Sequence, residues 1–159
     1  MIIHRGELYM TQTDKDKFIG TWRLISYEDP SHTADKPYKD PLGYVMYDYT
    51  GHVAVQIMRR PDRPKFKSGV PTQGTPEELK AAFEGYSAYH GTYEVNEKEG
   101  FVIHHVEGSL FPNEVGKDKI RFYELLSNDR IALIATSIVG GKTEPKSPLA
   151  RRLTWERVR

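Results

Sequence analysis

Apolar and polar residues alternate with a period of two through most of this chain, the spacing that turns one side of an extended strand toward a core and the other toward water. Eight segments carry the pattern together with strand-favouring β-branched and aromatic residues: 20–28, 42–47, 52–58, 92–95, 101–107, 119–126, 131–137 and 152–158. Between the second and third, Asp48-Tyr-Thr-Gly51 ends in a glycine that supplies the positive φ of a tight hairpin. Residues 96–100 and 128–130 read as further turns, and Gly140-Gly141 opens the connection to the last strand. Short strands joined mainly by hairpins predict a closed antiparallel barrel, since closure leaves no exposed edge and eight strands enclose room for one small ligand. The inner face is not decided everywhere. In 52–58, His52, Ala54, Gln56 and Met58 oppose Val53, Val55 and Ile57, and periodicity alone does not choose between them.

The period changes once. Thr75 and Glu78 form a capping box, Pro76 sits at the first helical position, and Gly91 is placed to end a helix that runs to His90. Leu79, Ala82, Phe83, Tyr86 and His90 then form an apolar stripe, which closes one end of a barrel if Phe83 and Tyr86 face its interior. The predicted fold is mainly β: an eight-stranded, antiparallel, up-and-down barrel with one helix inserted between strands three and four. It occupies 14–159 as one domain behind an N-terminal extension at 1–13, with a short capped turn at 14–19. The proline-rich loop at 29–41 has the composition of a loop that overhangs a site. Arg59–Lys67 carries five basic residues and one acid; it reads as a rim for an anionic ligand or, more commonly, as a solvated loop.

Composition narrows the function. At 159 residues the chain has room for a sizeable core, and a net charge of +1 gives no field for nucleic acid. Without cysteine there is neither a disulfide nor a thiolate nucleophile. The apolar run at the N-terminus is too short for a signal peptide and no stretch is long enough to span a membrane, so the expectation is a cytoplasmic protein, monomer or homodimer, with no membrane partner. No cofactor is called for, and no Gly-x-Ser-x-Gly elbow marks a serine hydrolase. His104 and His105 point to opposite faces of a strand and cannot share a metal ion; His52, His90 and His105 would have to be gathered by folding, and no metal site is assigned.

The stretches Phe18-Ile-Gly-Thr-Trp-Arg-Leu-Ile-Ser-Tyr27 and Leu153-Thr-Trp-Glu-Arg-Val158 resemble the terminal strands of the calycin group, the lipocalins and fatty-acid-binding proteins. With Gly43–Tyr47, Val55–Pro64 and His104-His-Val-Glu-Gly-Ser-Leu-Phe-Pro-Asn113, the chain resembles the bacterial and fungal lipocalin-like domain family from Phe18 onward. The resemblance implies a barrel with a hydrophobic interior, closed by Trp22. It does not extend to the Arg-x-Tyr carboxylate clamp of fatty-acid-binding proteins, whose places fall on Leu153 and Trp155, while Arg152 points to the other face. Trp155 offers instead a flat wall for a ring-containing ligand, or a plug.

Two functions follow as expectations. The first is binding of a small hydrophobic or aromatic molecule in the barrel, by Gln56, Met58, Phe83, Tyr86, Tyr93, His105, Arg121, Tyr123 and Trp155. The second is a cofactor-independent isomerase or cyclase acting on a polyketide-like molecule. There His105 would move a proton, Glu107, two residues along the same strand face, would orient it, and Tyr123 or Arg121 would stabilise developing negative charge.

Overall fold

Thr13 caps the first element, α1 (Asp14–Phe18), through a reciprocal capping box with Asp16. The structure, a computed structural model, describes residues 12–30, 40–135, 137–139, 142–144 and 150–159. Residues 1–11 of the N-terminal extension, 31–39 of the proline-rich loop and Gly140-Gly141 lie outside the described residues. After α1 come β1 (Gly20–Glu28), β2 (Leu42–Tyr47), β3 (His52–Met58), α2 (Pro76–Glu84), β4 (Tyr86–Asn96), β5 (Phe101–Ser109) and one 3-10 turn at Pro112–Glu114. They are followed by β6 (Asp118–Ser127), β7 (Arg130–Ala135), β8 (Ser137–Val139), β9 (Lys142–Glu144) and β10 (Arg151–Arg157).

Eight strands close into a barrel in the order β1-β10-β7-β6-β5-β4-β3-β2, every pair antiparallel, while β8 and β9 form a separate hairpin. At the β2–β3 turn, Gly51 has the positive φ that the turn needs, +95°. The inner face is the apolar one. Val53, Val55 and Ile57 of β3 are buried, as are Val102 and Val106 of β5 and Ile131 and Leu133 of β7.

One end of the tube is stoppered. Phe18, at the end of α1, is fully buried and meets the Tyr47 and Tyr123 rings edge-on at 5.1 and 5.0 Å. Trp22 donates from Nε1 to the Phe18 carbonyl at 2.8 Å, and the Arg157 guanidinium lies 4.1 Å over its ring. Arg157 in turn donates to the carbonyls of Ile19 and Lys17 at 2.6 and 2.7 Å, tying the last strand to the chain before the first.

The helix is shorter than its periodicity predicts. The capping box and Pro76 are as expected, but α2 stops at Glu84 with Gly85 as its C-cap. Tyr86 already pairs with Met58 in the sheet, and the Gly85 carbonyl accepts from Arg59 N at 2.9 Å. A helix continued to His90 would leave β3 without its partner strand, and those ladder hydrogen bonds outweigh the local helical spacing. Gly91 therefore sits inside β4, where any Cβ would collide with the His105 carbonyl. Among the described residues no helix is long and apolar enough to cross a membrane.

Candidate functional site

Away from the α1 end the barrel holds a cavity of about 420 Å³. Val45, Val55, Ile57, Leu133, Leu153 and Trp155 supply its apolar wall from four strands. Phe83 of α2, with Leu110 and Phe111 beyond β5, contributes apolar side chains that remain about half exposed. The apolar stripe of α2 thus lies against the cavity through Phe83, whereas Leu79 faces outward.

His104 is the polar centre. Its cross-strand partners are Tyr93 on β4 and Lys119 on β6, and its neighbours on the same face are Val102 and Val106, so it points inward and is 1% exposed. Nε2 lies 2.8 Å from the Tyr47 hydroxyl and Nδ1 lies 2.8 Å from the Tyr89 hydroxyl. Burial, reinforced by the positive charges of Arg121 and Lys119, holds the imidazole well below its ordinary pKa, so it is neutral at neutral pH. Burial also pushes the Tyr47 and Tyr89 hydroxyls up, keeping both protonated. The Tyr47 hydroxyl has no partner other than His104 among the described residues, so its proton is satisfied only by donation to Nε2. Nδ1 then carries the imidazole proton and donates to Tyr89, whose own O–H is left to donate onward.

Four cations, Arg59, Lys119, Arg121 and Arg151, line the cavity against two carboxylates, Glu84 and Glu114. Lys119 is paired with Glu114 at 2.5 Å and lies 4.3 Å over the Tyr89 ring. Burial lowers the Lys119 pKa and would raise that of Glu114, but the hydrogen bond and charge of Lys119 hold Glu114 below its usual range.

Comparison with known proteins decides the relationship. The sequence profile described as a lipocalin-like domain matches residues 19–158. The chain belongs to that family. No curated protein matches it. Among solved structures, this lipocalin-like chain is similar to a redesigned β-barrel, at 10% identity, TM-score 0.47, covering 94% of this chain and 98% of that one. It is also similar to the wild-type fluorescent protein UnaG, at 9% identity, TM-score 0.38, covering 90% of this chain and 98% of that one.

Within the lipocalin-like barrel the sequence-derived residues separate into three groups. Trp155, Arg121, Phe83 and Tyr86 line the cavity. Trp155 is 1% exposed, and its indole N–H is buried with no acceptor among the described residues. Tyr86 reaches the cavity edge while its hydroxyl donates to Gln56 Oε1 at 2.7 Å. Tyr93 and Tyr123 point inward but belong to the stoppered end, where they donate to the Asp48 carbonyl at 2.9 Å and to Asp14 Oδ2 at 2.7 Å.

The third group is outside, and these placements correct the sequence reading. Gln56 and Met58 lie opposite the buried Val55 and Ile57; Met58 instead accepts through Sδ from Arg63 at 3.3 Å. His105 pairs across the strands with Thr92 and Asp118, and its Nδ1 lies 2.7 Å from Asp118 Oδ1 on the outer surface. Glu107 is exposed at a bulge, where β5 has one residue more than β4. The choice between adjacent histidines is set by their neighbours. Val102 and Val106 flank His104 on one face, and burying them buries it. Tyr47, Tyr89, Lys119, Glu114 and Arg151 were missed. For Lys119 the signal was present, because Lys119, Arg121, Tyr123 and Leu125 share one face of β6. His52 and His90, like His105, sit on exposed or outward positions.

Proposed function

We propose that this lipocalin-like chain binds a small hydrophobic or aromatic molecule within its barrel. The observation that carries the reading is the cavity of about 420 Å³, within the range of small-molecule pockets, with apolar walls and a few polar groups gathered at His104, Tyr89 and Arg121. The apolar side chains of Phe83, Leu110 and Phe111 support it, since they form a lip over which such a molecule would pass. Titration with 1-aminoanthracene, a neutral polycyclic fluorophore, tests the proposal. Saturable enhancement near one equivalent, abolished in Leu133→Trp, is the expected result; a linear, non-saturating response identical in both proteins refutes it.

A second reading, proton transfer on a bound substrate, is favoured by one observation: an imidazole in the cavity, bonded by two tyrosines. Catalysis of this kind falls to His104 and Tyr89, because His105 and Glu107 are on the outside. Its signature is a substrate whose conversion is lost in His104→Gln while its binding remains; binding and conversion lost in equal measure would speak for the carrier alone.

A further inference from the structure

The polar groups that the cavity offers to a ligand are donors. Tyr89 has an O–H to give once His104 has donated to it, by the proton accounting above. Both carboxylates of the lining are already engaged: Glu114 with Lys119 at 2.5 Å and with Ser109 at 2.9 Å, and Glu84 with Lys80 at 3.9 Å. Arg121 is different. Its cross-strand partners Val102 and Ala135 are inner-face residues, so its side chain enters the barrel. There it donates from Nη1 to the neighbouring Ile120 carbonyl at 2.9 Å and interacts with the Tyr89 hydroxyl, with no ion pair among the described residues. A half-buried guanidinium that enters the barrel with no carboxylate partner keeps donors of its planar fork for an oxyanion.

We propose that the ligand of this barrel is an organic acid, its carboxylate or equivalent oxyanion held by Arg121 and the Tyr89 hydroxyl, and its hydrocarbon or ring lying against Trp155 and Leu153. The inference rests on the ligand-binding reading and sharpens it. Trp155 and Leu153 occupy the positions at which the fatty-acid clamp is missing. The charge that such a clamp would supply comes here from the inner face of β6.

A matched pair of probes separates this proposal from the one beneath it. 1-Pyrenebutyrate and 1-pyrenebutanol share a ring and a tether and differ in charge at about pH 7.5. The full chain is expected to bind the acid about ten- to a hundredfold more tightly than the alcohol, the range for one charge-assisted pair. Arg121→Gln should remove most of the acid's advantage over the alcohol, and Tyr89→Phe should narrow the gap by about tenfold, the loss of one hydrogen bond to a charged acceptor. Equal affinities in the wild-type protein overturn the acid proposal and leave the binding reading intact, and this comparison needs no variant to fold. Absence of saturable binding for both probes overturns the binding reading and the acid proposal together.

Discussion

Acidification should destabilise this barrel through one residue before its carboxylates respond. Folded His104 resists protonation because it is buried and because Arg121 and Lys119 repel a third positive charge. In the unfolded chain the same imidazole titrates near about pH 6.5. As pH falls through that value, the unfolded state takes up a proton that the folded state refuses, so the equilibrium moves toward unfolding. The stabilisation is complete above about pH 6.5 and is lost progressively toward the depressed folded value, at a limiting slope of about 1.4 kcal/mol per pH unit. For a domain of this size that is a fall in Tm of about 3–6 °C per unit. Asp14, Glu114 and Glu124 have lowered pKa values in the folded chain, so the stability they contribute is lost only from about pH 4 to 4.5 downward, where the unfolded carboxylates protonate. Urea unfolding followed by far-ultraviolet circular dichroism at about pH 7, 6 and 5 measures the slope. His104→Gln keeps a donor and an acceptor for the two tyrosines but cannot titrate, and it should flatten the profile in this window. If wild type and variant lose stability in parallel, the assignment of a buried neutral imidazole is wrong.

Other outcomes follow from the same contacts. Tyr47→Phe leaves Nε2 of His104 a buried acceptor without a donor and should lower stability by about 1–3 kcal/mol in urea unfolding. Arg157→Ala removes two charged donors from the Ile19 and Lys17 carbonyls and the cation above Trp22; a loss of about 2–3 kcal/mol with Trp22 emission shifted to the red is expected. Gly91→Ala places a methyl group against the His105 carbonyl, with no flexible side chain to yield, and should cost about 3 kcal/mol or more, visible as a collapsed Tm or loss of soluble protein.

Much of the architecture was legible because strand signals here are local. The β2–β3 hairpin declares itself by alternation and Gly51, the start of α2 by Thr75, Pro76 and Glu78, and the seam by Trp22 and the final Leu153-Thr-Trp. What misled was also local. Tyr86 and His90 continue a helical stripe, and nothing within that window announces that β3 needs residues 86–92 as its partner. The polar pair His105 and Glu107 drew attention to the wrong face because two reactive side chains at one spacing look purposeful, whereas the flanking valines, which carry the burial energy, favour His104.

By itself the sequence determined that eight alternating segments would close an antiparallel tube and that its interior would be largely apolar, since the period of two and the turn residues act over a few positions. Only the tertiary structure decided which histidine is inside, where α2 gives way to strand, and that Tyr47, Tyr89, Lys119 and Arg121 meet around His104. These groups come from four strands, β2, β4, β5 and β6, and the register that brings them together is a property of the closed barrel, set where pairing and burial are satisfied at once.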